Sequence, residues 1–241
     1  MGSNMASSTH SYHHGDLRRA LLDAALRLIT DQGLAGFTLR EAARAAGVSH
    51  NAPYRHFPSR DHLLAELAIE GHGLLRDHML AAMERSPSQP LERLLAIGAG
   101  YADFAIQNPA LFRVMFASEA ARDDSPLLQL ERGKTFGMLE LELAHCVAAG
   151  VLRCESTSDA ALAGWAAMHG ISFLFIDGGM SNRPLIGGRT PNDIARLVLE
   201  MLLSGLRTGT DPSSAIPAGP TLVAKEGAPK TRGRGRRVKP S

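Results

Sequence analysis

Residues 38–57 read TLREAARAAGVSHNAPYRHF, and the way this stretch divides decides the fold. Thr38 stands three residues ahead of Glu41, the spacing of a capping box, in which hydroxyl and carboxylate satisfy the first unpaired amides of a helix. Leu39, Ala42, Ala43 and Ala46 recur at helical spacing and mark its inner side. Gly47 ends it, because the left-handed conformation that stops a helix carries no steric penalty for glycine. Ser49 and His50 start the next helix, Pro53 falls in or beside its first turn, where a missing N–H does least harm, and Pro58 closes it after about two turns. This second element carries two histidines, an asparagine, a tyrosine and an arginine and almost no apolar bulk. It is too polar for a core and must present itself to something outside.

The flanking sequence supplies the support. Leu17, Leu21, Ala24 and Leu28 recur at spacings of four and three, which predicts a helix from near Asp16 to Gly33. Ser59 is the N-cap of a long helix with Leu63, Leu64, Leu67, Leu74 and Leu75 directed inward. Phe57 is the apolar exception in the polar element and is expected to pin it to the helices on either side. Two helices joined by a glycine turn form a helix-turn-helix, in which one helix braces on the phosphate backbone while the next offers its N-terminal side chains to base edges in the major groove. His50 and Asn51 then stand at the tip, where a bidentate asparagine–adenine pair contributes about 1–3 kcal/mol of discrimination. Arg40, Tyr54, His56 and Arg60 stand where they would reach phosphates. Residues 10–62 hold seven arginines against five acidic side chains, so one unit alone is expected to bind weakly.

The run YHHGDLRRALLDAALRLITDQGLAGFTLREAARAAGVSHNAPYRHFPSRDHLL, residues 12–64, resembles the N-terminal DNA-binding domain of TetR-family transcriptional regulators. The resemblance rests on Thr38, Arg40 and Ala43, on Gly47, Val48 and Ser49, on Tyr54, Arg55, His56 and Phe57, and on Leu63 and Leu64, and it covers roughly the first quarter of the chain. It implies an all-α protein, not an enzyme, in which Thr38, Arg40, Ser49, His50, Asn51, Tyr54, Arg55, His56 and Arg60 contact double-stranded DNA. The chain departs from the usual pattern in two places. Ala52 and Pro53 replace a small residue or glycine and an aliphatic residue, so base contacts do not transfer from relatives, and Arg60 replaces a frequent lysine whose phosphate contact an arginine can assume.

From about Ala81 to Leu206 the chain continues as helices with no alternating strand pattern. One helix carries Leu91, Leu94, Leu95, Gly98 and Tyr101 and breaks before Pro109; a short one holds Leu111, Phe112, Met115 and Phe116; residues 127–147 make a long one. WAAMHGISFLFIDGG follows, with Trp165 and His169 four apart on one face and Gly170 small enough for close backbone approach. Similar W-x-x-x-H-G segments mark one group of TetR-family ligand-binding domains, so the resemblance extends weakly into this half. ISFLFI, residues 171–176, has strand-like composition but sits inside a helical stretch. A last helix carries Ile194, Leu197, Val198, Met201, Leu202 and Leu206. The Trp165 and Ile194 helices have more apolar surface than one core needs, which predicts a two-fold homodimer reading an inverted repeat.

The expected organisation is a leader over residues 1–12, a helix-turn-helix domain over 13–60, a helical effector-binding and dimerisation domain over 61–207, and a basic disordered tail over 208–241. The tail's last twenty residues carry seven basic side chains against Glu226 alone, which leaves about −4 on the remainder of a chain whose formal net charge is +2. No apolar stretch approaches the ~20 residues of a membrane span, and no signal pattern opens the chain, so a cytoplasmic location is expected. Cys146 and Cys154 are too few for a disulfide framework or a zinc site. No cofactor and no metal are expected. For the unknown small-molecule effector that such regulators sense, the candidates are Phe104, Phe112, Met115, Phe116, Phe136, Met138, His145, Trp165 and His169, with Arg113 as a further polar anchor, entered from the end of the long helix between Leu74 and Met83. The competing reading is an architectural protein that binds any DNA through its basic tail.

Overall fold

Helix ends in this protein are written into the sequence as caps, and the computed structural model places them accordingly. It describes residues 14–117, 120, 125–180 and 188–207; the leader of residues 1–12 and the tail of residues 208–241 lie outside these. Helix α1 spans His14–Gln32, and a 3-10 turn, Leu34–Gly36, follows Gly33. The Thr38 hydroxyl then accepts from the Glu41 amide at 3.2 Å and donates to the Glu41 carboxylate at 2.7 Å, opening α2, Leu39–Ala45. Ser59 caps α3, Arg60–Glu84, through the His62 amide. Next come α4, Pro90–Gln107; α5, Pro109–Met115; α6, Pro126–Ala148; α7, Thr157–Ile176; and α8, Pro191–Ser204. Thr190 and Asp193 form a full capping box at the head of α8. The chain is all-α, with no strand among the described residues. The segment 171–176 is helical, as its position in the sequence predicts.

The polar element differs from expectation. In place of two α-helical turns, one 3-10 turn, Ala52–Arg55, carries it. Pro53 lies in its first turn and has no N–H to give, and Pro58 disfavours helical geometry at Phe57, so only a tight turn fits between them. Gly47 makes the preceding turn at φ 71°, a left-handed conformation that an L side chain would strain.

Phe57 is fully buried, with the Arg18 guanidinium of α1 5.6 Å from its ring centre and His62 of α3 beside it. Two ion pairs, Arg18–Glu66 at 2.7 Å and Arg19–Glu70 at 2.9 Å, bind α1 to α3 along the surface. α3 runs on into the second unit, where it packs on α4, α5 and α6, while α4 also packs on α7 and α8. One apolar core is continuous through both units. Leu63, Leu64, Leu67 and Leu75 face it, but Leu74 does not: it is 51% exposed. Gly71 admits α5 so closely to α3 that a Cβ there would collide with Met115.

Candidate functional site

Two regions gather polar side chains that the core does not consume. The first is the tip of the helix-turn-helix. Arg40 on α2, His50 and Asn51 in the turn, and Tyr54 and Arg55 on the 3-10 turn are all exposed, and no described hydrogen bond or ion pair uses their side chains. Asn51 occupies the N-cap position without capping, so its amide stays uncommitted. Ser49 is exposed beside them and His56 is half-buried against Phe57. Thr38 is exposed, but its hydroxyl is engaged in the α2 cap.

Arg60 corrects the sequence reading. Its guanidinium turns inward, donating to the Phe37 carbonyl at 3.1 Å and the Leu34 carbonyl at 2.6 Å, and lies 5.6 Å from the centre of the Phe37 ring. The physical reason is local: among the described backbone amides the Leu34 carbonyl accepts only that of Phe37, at a long 3.4 Å, and so keeps room for the guanidinium of the first residue of α3. Arg60 is a brace between the Leu34–Gly36 turn and α3, with its Nε and one terminal nitrogen committed to those carbonyls.

The second region is a cavity of about 700 Å³ inside the C-terminal unit. α3 supplies His72 and Met79; α4 supplies Ile97, Gly98 and Tyr101; Phe116 and Ala117 follow α5; α6 supplies Gln129, Arg132, Gly133, Thr135, Phe136 and Leu139; α7 supplies Leu162, Gly164, Trp165 and Met168; α8 supplies Leu199. Of the nine candidates read from sequence, Phe116, Phe136 and Trp165 line it. The other six do not. Phe104, Phe112 and Met115 are fully enclosed core, because α5 buries that face against α3 and α4. Met138 lies on a different face of α6 from the lining residues Thr135, Phe136 and Leu139. His145 sits near the C-terminal end of α6, 3.4 Å from Glu142. His169 packs among Phe112, Phe116, Trp165 and Phe173 and shares a 2.9 Å hydrogen bond with the Tyr101 hydroxyl, while burial lowers its pKa. Arg113 is likewise spent elsewhere, on Asp177 and the Ile176 carbonyl. The exposed lining residues are Gln129, Gly133 and Leu162, so the mouth lies between α6 and α7 and not at the Leu74 end of α3.

The sequence reading missed His72, Thr135, Arg132 and Gln129. His72 had left a signal: it stands among Ala68, Leu75 and Met79 in the buried row of α3, a polar residue where a core residue is due. Its Nδ1 lies 3.2 Å from the Thr135 hydroxyl, and its Nε2 is buried with no partner. Burial first, then the charges of Arg132 and Arg76, hold its pKa down to about 4. Burial also raises the Cys146 thiol, to about 11; both cysteines are free.

α7 and α8 leave an apolar face uncovered. Leu162, Ala166, Gly170 and Leu174 are exposed at four-residue intervals on α7, beside Met201, 68% exposed, and Leu202 on α8. By length and composition α7 would pass for a membrane span, with a mean hydropathy of 1.3, yet it packs on α4, α6 and α8. Among the described residues nothing outside its own helix backbone lies within 4 Å of where a Cβ on Gly170 would stand.

The chain matches two family patterns: bacterial regulatory proteins, tetR family, over residues 21–67, and the tetracyclin repressor-like C-terminal domain over residues 94–205. It is 30% identical to a Rhodococcus sp. RHA1 protein of solved structure and unknown function, covering 82% of this chain and 99% of that one at a TM-score of 0.71. A TetR-family regulator, PfmR from Thermus thermophilus, is 25% identical, with a TM-score of 0.59 over 78% of this chain and 98% of its own. The HTH-type transcriptional regulator BetI of Rhizobium meliloti is 38% identical over 44% of this chain, an alignment that spans about half of that protein's length (53%). With both family patterns in their expected order and the helical fold beneath them, this chain belongs to the TetR family of bacterial regulatory proteins.

Proposed function

We propose that the protein is a sequence-specific transcriptional regulator, a repressor that binds an inverted-repeat operator as a homodimer in the cytoplasm and lets go when a small molecule enters the cavity. It acts by binding and not by catalysis. The observation that carries this reading is the exposed set Arg40, His50, Asn51, Tyr54 and Arg55 on α2 and the turns after it, since none of these side chains has a described hydrogen bond or ion pair within the fold. In this reading His50 and Asn51 face base edges, while Arg40, Ser49, Tyr54, Arg55 and His56 hold phosphates and Thr38 fixes the helix that carries Arg40. The uncovered face of α7 and α8 buries itself against a second copy, with Gly170 allowing close approach there. A two-fold pair holds its recognition turns about 34–36 Å apart, one turn of DNA.

Release follows from the wiring between the units. Phe116, at the cavity, follows directly on α5, and α5 touches both α1 and the Leu34–Gly36 turn that Arg60 braces. A ligand that fits the cavity only after α3 and α5 shift therefore favours the arrangement with misplaced recognition turns, at a typical coupling of about 1–3 kcal/mol.

Footprinting on the DNA upstream of the protein's own gene tests the reading, with a protected inverted repeat expected. Asn51→Ala should lower selectivity for that site and leave affinity for random duplex nearly intact. Equal losses on both would remove the base-reading role. Deleting residues 208–241 should leave operator preference in place; if binding largely disappears, the tail is the DNA-binding element and the architectural reading stands.

A further inference from the structure

We infer that the cavity takes an amphipathic organic anion, a carboxylate or a group of like charge on an apolar body, with the anion seated between Arg132 and His72. This rests on reading the cavity as the effector site.

The charge pattern around the cavity points to it. Elsewhere in the C-terminal unit, each arginine that joins two helices has a carboxylate: Arg76 pairs with Glu131, Arg93 with Glu142 at 2.7 Å, and Arg196 with Glu92 at 2.8 Å. Arg132 differs. It is half-buried in the cavity wall, its one described bond is a long 3.4 Å contact to the Met115 carbonyl, and no carboxylate meets it among the described residues. Burial alone lowers its pKa. Among the described residues no aspartate or glutamate lines the cavity, and the nearby Glu131 is already engaged by Arg76 and Lys134. A guanidinium drawn out of water without a counter-charge is costly, and an entering anion relieves that cost with charge-assisted hydrogen bonds.

His72 is an independent sign. It is 3% exposed and lines the cavity, and its buried Nε2 has no hydrogen-bond partner among the described residues. The Thr135 hydroxyl gives its proton to the Glu131 carbonyl at 2.9 Å, so its oxygen accepts from His72 Nδ1–H and the lone pair is left on Nε2. The groups around the ring are Arg76 on α3, Arg132, Glu131 and Thr135 on α6, and the Phe116 ring. A bound anion offsets the repulsion from Arg132 and Arg76. The imidazole then takes one proton from solvent, and Nε2–H donates to the anion. Binding should therefore tighten as pH falls. Most of the remaining wall, with Met79, Phe116, Phe136, Trp165 and Met168, is apolar and polarizable, and about 700 Å³ suits a drug-sized body.

Trp165 is the chain's one tryptophan and lines the cavity, so its fluorescence reports occupancy with no DNA present. The full chain would be titrated with decanoate, decanamide and decylamine, and with the same three head groups on a 4-butylphenyl body. On at least one body the carboxylate should bind about tenfold or more tighter than the amide, and the amine weakest. Arg132→Met should erase that preference while the amide's affinity holds, which also shows that the variant is folded. Carboxylate affinity should rise as pH falls from about 6.5 toward about 5, and His72→Gln should flatten the rise. Amide or amine binding equal to carboxylate on both bodies, no response to any of the six compounds, or an undiminished preference in Arg132→Met would overturn the inference. A flat pH profile in the unaltered protein would remove His72 from the anion seat. Operator release is read separately: a carboxylate that binds without freeing DNA would leave the anion site standing and sink the effector reading.

Discussion

The N-terminal unit and the cavity-bearing unit place their polar groups in opposite ways. Around Phe57 the N-terminal unit keeps a small dry centre and pushes Arg40, His50, Asn51, Tyr54 and Arg55 into solvent. The C-terminal unit instead places His72, Arg132 and Thr135 along the wall of a cavity. Exposed groups keep their hydration until a partner arrives, so the first unit can be polar at little cost to its stability. Burial lowers the pKa of both His72 and Arg132, so their charged forms bear a desolvation cost that an ionic partner can relieve. One unit meets its partner as a surface and the other as a hole.

The largest effect expected from breaking this contrast lies at the uncovered face of α7 and α8. Met201→Glu with Leu202→Glu puts charge on a face whose members are solvent-exposed in the single chain, so each subunit should still fold. Sedimentation should then show single chains, and operator affinity should fall about 10²- to 10⁴-fold as the two recognition turns lose their tether. A charged variant that stays paired and binds normally would place the interface elsewhere.

Phe57→Ala comes next, at about 3–5 kcal/mol for a fully buried ring. It also asks whether the two units are separate in energy. The core is continuous from Leu22 and Phe57 through α3 to Leu199, so Trp165 fluorescence, a reporter of the far unit, should show its urea midpoint lowered together with the helical signal. An unshifted Trp165 transition beside an early helical one would divide the protein into two independent folding units.

His72 sets the third effect. Its pKa of about 4 against an ordinary 6.5 means that between those values the unfolded chain binds the proton the folded chain refuses. The stability is fully present above about pH 6.5 and is lost as pH falls toward 4, by at most about 3 kcal/mol. Urea midpoints near pH 7 and near pH 4.5 should therefore differ less in His72→Gln than in the unaltered protein. An identical loss in both would assign the acid sensitivity to other groups, such as the Arg93-paired Glu142, whose pKa is lowered.

The same contrast explains what could be read from the sequence. Thr38, Glu41, Gly47, Ser59 and Phe57 act on residues within a few positions of themselves, and each cap, turn and anchor lies where its spacing predicts. The cavity is assembled from five helices and the segment after α5, so its polar set His72, Thr135 and Arg132 is scattered over some sixty positions. An apolar face of α5 does not reveal whether it lines a space or closes one. That is why Phe116 was found together with Phe104, Phe112 and Met115, which are packing. Leu74 and the two-turn helix failed for local reasons: one leucine more than the stripe of α3 can bury, and two prolines too close for an α-helix between them.

Arg60 gives the smallest effect and the sharpest division between the two kinds of polar group. By position it is an exposed phosphate contact; by its bonds to the Phe37 and Leu34 carbonyls it belongs to the interior. Arg60→Met should cost about 1–3 kcal/mol of stability, because two carbonyls lose a charged donor. The dependence of operator affinity on salt should not change, since no counterion-releasing contact has been lost. Arg40→Met should do the reverse, leaving stability nearly unchanged while lowering the slope of log affinity against log salt by about 1 per subunit. The paired titrations separate a brace from a DNA contact even if both variants bind the operator more weakly. If Arg60→Met lowers the slope as Arg40→Met does, its guanidinium leaves the two carbonyls when DNA arrives, and the inward position is one of two that it occupies.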